Sequence, residues 1–449
     1  MRTYQNLAAI RDNDGKLKKF VFDAIDDHKD SAAYKTAAIA EKYYAKKNVT
    51  IMAFQKMLYN MHGQQVPDMW SANYKLRTHF FRRFVTQQVQ YVLSNGITFE
   101  KEDTKSKLGA DFDNKMQAAA KKALVDGVAY LFWNYDHIEV FGLADTAREP
   151  GFAPLVDETD GTLKAGIRHW VLNDTERYTL YEADGVTEYI KQEGAEMRIL
   201  SDKRPYITTT RKAAVGEAER IGSNYSAFPI IPMYANDVQQ SEMVGLREAI
   251  DCYDLVKSGF ANTVDEAAEL YWTIKNAGGM DDADLQQFIE RMKIVRAANL
   301  PDGVEADAHT VNIPTEAREK LLALLERDLY KDAQIVNVEA ISAGNKTATE
   351  IRAAYQPMDD KCGDFEYCIR EYITKLFALI GIEDEPSFKW NRIANQTEET
   401  QMVMLAANYL DEETILNKLP WLTQEEVKAA LENRSAEELN RVEDVVIDA

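Results

Sequence analysis

The most regular hydrophobic pattern in the chain lies between residues 350 and 382. Apolar residues recur alternately four and three positions apart, at Ile351, Tyr355, Met358, Cys362, Phe365, Ile369, Tyr372 and Leu376. This spacing places them on one face of a helix about 40 Å long and predicts burial of that face. A two-stranded coiled coil is the alternative, disfavoured because Pro357 interrupts the stripe. Pro357 lacks a backbone N–H and therefore predicts a kink near Ala353 or Ala354.

Two further helices are predicted on either side of a compact insert. The first starts at an N-cap, Ser241, and shows helical apolar spacing to Phe260. The second begins near Pro314 and extends to about Val336, with a run of leucines on one side. The insert holds a β-prone segment with Tyr271, Trp272 and Ile274. Helices that flank a small insert are expected to pack side by side as a helical hairpin.

The N-terminal half mixes helical and alternating patterns. Residues 1–72 are alanine-rich and predicted helical, a helix is predicted from Asn73 to the Asn95-Gly96 stop, and another covers 111–125. Short alternating segments separated by turn residues predict a β-meander. The strands are predicted at 127–142, 165–173, 176–183, 186–192 and 196–200, followed by a loop from Arg204 to Asn224 and a short or edge strand at Phe228–Tyr234. The predicted fold class is α+β, predominantly helical.

Composition narrows the classes of function. The 449 residues carry a net charge of −21 and are 45% hydrophobic, which favours a folded chain and opposes a general affinity for phosphate backbones. Arg82 and Arg83 lie between phenylalanines, a combination that can stack on nucleic-acid bases. The commoner case is a helix that buries its apolar side and presents such arginines to solvent or to a neighbouring subunit. No apolar run is long enough to span a membrane and no secretion signal is recognisable, so we expect a chain that stays in the cytosol.

Residues with catalytic or metal-binding potential do not form a known motif. Gly344-Asn345-Lys346-Thr347 resembles the end of a phosphate-binding loop, but Asn345 separates the glycine from the lysine that the motif places together. The three cysteines and six histidines lack metal-ligand spacing. We therefore expect no catalytic residues, no metal, no cofactor and no enzymatic activity.

The order of these weak signals resembles one family. A Pro-Ile-Ile-Pro strand is followed by an Asn-Asp turn, an Ile-Asp-x-Tyr-Asp helix that also carries Ser258 and Asn262, an acidic stretch and a Tyr-Trp strand. This order is similar to that of the portal proteins, or head-to-tail connectors, of tailed bacteriophages with long non-contractile tails. Asn73–Phe99, Asp126–Asp136 and Asn337–Ile382 also resemble parts of that family, so the resemblance spans roughly residues 70–385.

The resemblance implies a portal fold with wing, stem, clip and crown regions around a central channel. It assigns 1–240 to an α+β wing, 241–262 to the first stem helix, 263–313 to the clip and 314–336 to the second stem helix. It further assigns 337–349 to a tunnel loop, 350–382 to a kinked spine helix of the wing, and 383–449 to the crown and acidic tail. Asn337, Ser342, Asn345, Lys346 and Thr347 are then expected at the DNA channel, and Tyr271, Trp272 and Ile274 at a clip interface.

The resemblance also implies a function and its partners. The chain would form a homo-oligomeric ring, a dodecamer, at the capsid vertex of the virion after synthesis in the host cytoplasm. The ring would pass double-stranded DNA without sequence specificity during packaging and ejection, and would bind terminase, head-completion or adaptor proteins, capsid and scaffold proteins, but no membrane. The alternatives are another virion structural subunit, such as an adaptor or minor head protein, and a DNA-processing enzyme.

Overall fold

The computed structural model contains two compact units. It describes residues 2–434 except 60–61, 70, 147–149, 212–218, 268–270, 276–280, 282, 285, 289–304, 310–313, 343–347, 392–399, 401–402, 420–421 and 423–425. The first unit comprises Met1–Tyr34, Phe84–Ser241 and Gln334–Ala449, and the second comprises Lys35–Arg83 and Glu242–Ala333. Residues 35–83 therefore belong to the same unit as the two predicted stem helices. The resemblance instead places them in the wing, with the rest of residues 1–240.

Helices and strands follow one another along the chain in a mixed order. The helices are α1 (Tyr4–Ala8), α2 (Asp14–Asp30), α3 (Ala32–Tyr44), α4 (Val49–Ala53), α5 (Phe80–Leu93), α6 (Thr104–Lys107), α7 (Phe112–Asp126), α8 (Arg247–Ala267), α9 (Thr315–Asp332), α10 (Val338–Ser342), α11 (Ala348–Ile380) and α12 (Glu412–Lys418). The strands are β1 (Met57–Tyr59), β2 (Gln65–Pro67), β3 (Ile97–Phe99), β4 (Val128–Asn134), β5 (His137–Gly142), β6 (Gly151–Val156), β7 (Leu163–Leu172), β8 (Thr175–Glu182), β9 (Gly185–Gln192), β10 (Arg198–Arg204), β11 (Ile207–Arg211), β12 (Glu219–Ser223), β13 (Ile230–Tyr234), β14 (Tyr271–Lys275), β15 (Glu305–His309) and β16 (Pro386–Phe388).

An eight-stranded sheet is the centre of the first unit. Its strand order is β10-β9-β8-β7-β6-β5-β4-β13, and β13 forms one edge. The edge position of β13 confirms the expectation from Pro232, because a proline within a strand cannot donate to a neighbour on that side. The predicted meander is confirmed for β7, β8 and β9, which pair antiparallel through tight turns.

Helices cover the sheet with apolar side chains. Phe20, Val21 and Ile25 of α2 pack with Ile167 and Leu180 of the sheet in one buried cluster. Helix α7 contacts β4, β5 and β13, and α11 contacts β13. The buried stripe of α11 is confirmed from Tyr355 to Leu376, and the helix continues through Pro357. The kink at Pro357 stays a prediction.

Two segments of the first unit differ from the sequence prediction. Arg204–Asn224 is predicted as a loop, but β11 and β12 pair there as an antiparallel hairpin. The strand β6 is also absent from the prediction. β11 is rich in threonine and β12 in polar residues, so neither shows the alternation of apolar and polar positions that marks a half-buried strand.

A buried histidine, His28, is expected to make the stability of the first unit depend on pH. The Nε2 atom of His28 donates to the carbonyl of Leu143 at 2.9 Å, and burial lowers the pKa of His28 below its usual 6.5. A histidine with a lowered pKa in the folded state binds fewer protons than in the unfolded chain, so it costs stability as pH falls below about 6.5.

We expect a His28→Gln variant, which retains an N–H donor but does not titrate, to lose less stability than the wild type between pH 7.5 and 5. The difference should be about 1.4 kcal/mol for each unit by which the folded and unfolded pKa values differ. Urea unfolding at several pH values measures it. Equal slopes in the wild type and His28→Gln would contradict the assignment.

Candidate functional site

Helix α8 carries a row of buried polar side chains. Ser241 was predicted as its N-cap, which is wrong: the helix begins at Arg247, and the Ser241 hydroxyl instead donates to the Val125 carbonyl at 2.6 Å. Along the helix, Asp254, Ser258 and Asn262 are each less than 5% exposed. Buried polar groups of this kind are costly unless hydrogen-bonded, so their partners define the site.

The partners are backbone amides of an extended segment, residues 73–79. The Thr78 N–H donates to Asp254 Oδ1 at 3.0 Å, the Leu76 N–H to Ser258 Oγ at 2.9 Å and the Tyr74 N–H to Asn262 Oδ1 at 2.6 Å. We call these three hydrogen bonds the polar ladder. A helix was predicted from Asn73, which is wrong, because α5 begins only at Phe80 and the preceding residues are captured by α8.

The spacing of the polar ladder follows from the two backbone geometries. Positions four apart on a helix are separated by about 6.0 Å, and positions two apart on an extended chain by about 6.6 Å. Residues 254, 258 and 262 can therefore meet residues 78, 76 and 74 in antiparallel order. The three side chains of the polar ladder all belong to the family-like pattern of the sequence: Asp254 is the second aspartate of the Ile-Asp-x-Tyr-Asp helix, and Ser258 and Asn262 follow it. The sequence pattern alone does not reveal their physical role.

A second layer of hydrogen bonds ties helices α3 and α4 to the same helix. Tyr43 and Thr50 both donate to the Asp251 carboxylate, the latter at 2.6 Å. Asn48 donates through Nδ2 to Asp254, and more weakly at 3.4 Å to the Thr78 carbonyl. Asn48 precedes α4 but makes no side-chain cap there. Its side-chain amide instead donates to Asp254 and Thr78, two residues of the polar ladder.

Burial dominates the electrostatics of Asp254. Desolvation raises the pKa of the Asp254 carboxyl above its usual value, although the hydrogen bonds from Asn48 and Thr78 act in the opposite direction. A raised pKa means that the folded state holds a proton more tightly than the unfolded chain. This contribution to stability is therefore present at low pH and is lost as pH rises through the folded pKa.

Aromatic packing holds α8 against α9. The rings of Phe80 and Tyr253 meet edge to face at 5.0 Å, and Phe80 and Tyr330 at 6.4 Å. The Arg318 guanidinium of α9 lies over the Phe260 ring at 5.7 Å. The predicted side-by-side packing of these two helices is confirmed. Leu321 and Leu324 of α9 remain exposed.

The expected clip residues lie in a hairpin. Tyr271, Trp272 and Ile274 belong to β14, which pairs antiparallel with β15, with Tyr271 opposite His309. Within the insert, residues 268–270, 276–280, 282, 285, 289–304 and 310–313 lie outside the described residues. The assignment of these residues to an interface stays a prediction.

The expected channel residues are only partly described. Asn337 accepts from the Glu339 N–H through Oδ1 at 3.1 Å, at the start of α10. Ser342 ends α10, which replaces the first part of the predicted loop. Asn345, Lys346 and Thr347 lie outside the described residues. The assignment of these five residues to a DNA channel stays a prediction.

Metal and membrane sites find no support in the described part of the chain. Within those ranges, no group of three or more His, Cys, Asp or Glu residues is arranged to bind a metal ion. Among the same residues, no helix combines the length and the apolar character needed to cross a bilayer.

Comparison with known proteins identifies the family. The family model described as "Phage portal protein, SPP1 Gp6-like" matches residues 23–439. The portal protein of Clostridium phage phiCD119 is 22% identical over 436 residues, covering 90% of this chain and 94% of the relative. The portal protein of Bacillus phage SPP1 is 23% identical over 433 residues, covering 89% and 83%. The chain belongs to the phage portal protein family, as its sequence resemblance indicated.

Two solved structures that align with the chain come from gene transfer agents. A structure titled "Neck of empty GTA particle computed with C6 symmetry" aligns over 75% of this chain and 88% of the other, at 13% identity and a TM-score of 0.45. The virion of the native gene transfer agent particle aligns over the same shares, at 15% identity and a TM-score of 0.45.

Proposed function

We propose that this portal-family chain assembles into a closed ring of twelve copies at one vertex of a phage capsid, through which double-stranded DNA is packaged and ejected. Its role is physical and involves no covalent chemistry. The observation that carries this proposal is the family match across residues 23–439. The length of the match over both curated relatives supports a chain with the whole set of portal regions.

The polar ladder gives the two stem helices a stiff support. Three hydrogen bonds to buried side chains of α8 and the second layer fix residues 73–79 along that helix, and the Phe80 ring contacts both Tyr253 of α8 and Tyr330 of α9. Rigid elements are needed where identical copies must meet with one geometry, because a heterologous contact closes into a ring only at a fixed rotation. The residues of the clip, 263–313, then form the docking surface for terminase and head-completion proteins.

Charge supports a conduit that does not bind its cargo tightly. Twelve copies of −21 carry roughly −250 charges, which opposes continuous contact with DNA phosphates. Tight contacts along a channel would have to break at every step of DNA movement. The tunnel loop at 337–349 is the exception in this proposal, since Lys346 offers one transient point contact to each passing phosphate.

The state of assembly tests this proposal. Native mass spectrometry and negative-stain images of the purified chain should show rings with a central hole. Monomers under every salt condition would contradict the ring, and open filaments would indicate a contact that does not close. Hydrolysis of DNA or nucleotides dependent on magnesium would favour the enzyme alternative.

A loop substitution tests the channel assignment separately. We expect Lys346→Ala to leave ring assembly intact and to change the amount of DNA packaged per particle several-fold. Packaging efficiency in an assembly extract measures this, and Lys16→Ala, an exposed lysine on α2, is the matched control. Loss of assembly in Lys346→Ala would show that the loop has a structural role instead.

A further inference from the structure

A basic segment stands out within this acidic chain. Residues 42–83 hold eight Lys or Arg and one acidic residue, Asp68, a net charge of +7, so the remainder of the chain carries −28. Lys46, Lys47, Arg77 and Arg82 are exposed, and none of them forms an ion pair within the part of the chain that the structure describes. Unpaired like charges on one compact unit favour an external acidic partner.

Several of these groups are held close together. Helix α3 ends at Tyr44, and Lys46 follows in a left-handed conformation with φ 60°. The Arg82 guanidinium lies 5.6 Å from the centre of the Tyr44 ring, which brings it to the same end of α3. Arg83 is turned aside, with Nη1 donating to the Tyr330 hydroxyl at 2.8 Å. Lys46 and Arg82 therefore remain available.

His79 lies among these cations without a counter-charge. Its Nε2 atom is buried and has no hydrogen-bond partner among the described residues. Burial lowers the pKa of His79, and the nearby charges of Lys46, Arg82 and Arg83 lower it further. The cluster is thus a place where an incoming carboxylate would relieve repulsion and gain charge-assisted hydrogen bonds.

We propose that the basic segment, centred on Lys46 and Arg82, is one half of the contact between neighbouring copies and binds carboxylates on the acidic surface of the next copy. This rests on the proposed ring. A heterologous contact joins two different surfaces of the same chain, and here one surface is strongly basic while the remainder is strongly acidic. Each copy supplies the acidic partner at equal stoichiometry.

Two observations favour a protein partner over DNA. Phe80 and Phe81, the aromatic residues beside Arg82 and Arg83, are buried and cannot stack on bases. The same segment also exposes large apolar side chains, among them Met57, Leu58 and Tyr59 of β1. Arginine combined with exposed methionine and tyrosine is typical of protein interfaces, whereas nucleic-acid interfaces are more polar.

Charge reversal is the first test. We expect Lys46→Glu combined with Arg82→Glu to raise the protein concentration needed for half-assembly at least tenfold, measured by analytical ultracentrifugation. The matched control, Lys16→Glu with Lys19→Glu, makes the same change of charge at exposed positions of α2 and should assemble as the wild type does. Circular dichroism should show unchanged folding of both double variants. Intact rings in the first double variant would overturn this inference alone, whereas a wild type that never forms rings would overturn it together with the proposed function.

Cross-linking is the second test and needs no variant. Rings assembled from equal amounts of ¹⁴N- and ¹⁵N-labelled chains are treated with a carbodiimide, which joins amines to carboxylates in direct contact. We expect peptides in which Lys46 or Lys47 of one isotope is joined to Asp or Glu of the other. Links confined to one isotope would overturn the inference. DNA binding by the segment would also overturn it. In a gel-shift assay, the wild type would then slow the migration of a DNA duplex, and Lys46→Glu with Arg82→Glu would abolish this effect while the rings persist.

Discussion

Asp254→Ala is expected to destabilise the second unit by about 2–5 kcal/mol, because it leaves two buried donors, the Thr78 N–H and the Asn48 side-chain amide, without an acceptor. Urea unfolding gives the total loss. Amide hydrogen exchange gives a more local measurement, since the peptide covering residues 73–79 should exchange much faster once the first bond of the polar ladder is removed.

Two comparisons make this result specific. Asp265→Ala removes an exposed carboxylate from the same helix and should change stability by about 0.5 kcal/mol or less. Asp254→Asn keeps one acceptor oxygen and should lose an intermediate amount. Because the pKa of Asp254 is raised, the wild type should gain stability relative to Asp254→Asn as pH falls from 7 towards 4. If the difference in unfolding free energy between the wild type and Asp254→Asn became smaller over this pH range, the result would contradict the burial of the ionised group.

Gly127→Ala is expected to destabilise the first unit by about 2–4 kcal/mol. Gly127 ends α7 with φ 92°, and its carbonyl accepts from the Ala235 N–H at 3.0 Å. A Cβ atom at this position would lie 2.9 Å from the backbone of Gln240 and Ser241. Alanine therefore meets both an unfavourable backbone conformation and a clash with main-chain atoms that cannot rotate away. The midpoint of urea unfolding measures the effect.

Gly194 separates the two causes. Its φ is also positive, 73°, but among the described residues no atom lies within 4 Å of the position that a Cβ atom would take. Gly194→Ala should therefore cost only about 1 kcal/mol, for the backbone conformation alone. The difference between the two variants then reports the close approach of the chain at Gln240 and Ser241. Equal losses would mean that this close approach has no energetic importance.

The elements that the sequence predicts well have either a periodic buried stripe or clear turn residues at their ends. Helix α11 shows its buried stripe from Tyr355 to Leu376, so its hydrophobic spacing records the structure directly. Strands β7 to β9 are delimited by turns that contain glycine or asparagine, although much of β8 and β9 is buried on both faces.

The wrong predictions lie where tertiary hydrogen bonds decide the structure. Residues 73–79 continue the apparent helical spacing into α5, but amides at alternate positions are captured by Asp254, Ser258 and Asn262, and a helix cannot offer its amides in that way. Ser241 has the residue type of a cap, yet its hydroxyl binds the Val125 carbonyl, 116 residues earlier. Neither contact has a signal in the local sequence.

The candidate site shows the same limit. Ser258 and Asn262 enter the sequence prediction only as part of a family pattern, although the spacing of 254, 258 and 262 is a sign that one helix face carries polar groups toward a partner. The extended segment opposite them could not be inferred, because a main-chain donor has no residue type. Lys346 and Trp272 rest on resemblance alone, and their roles stay predictions.

The geometry of the polar ladder also determines how axial force passes between α8 and the segment beside it. Sliding by one position would bring the Thr78 N–H opposite Ile250, whose side chain has no acceptor, or would take it past Asp254. In the second case Asp254 Oδ1 would lose its donor, although Asn48 would still donate to Oδ2. Both displaced arrangements strand a buried polar group, so neither is a resting place. Under load we therefore expect the segment to travel with α8 or to detach from it, because no intermediate register keeps the three amide hydrogen bonds.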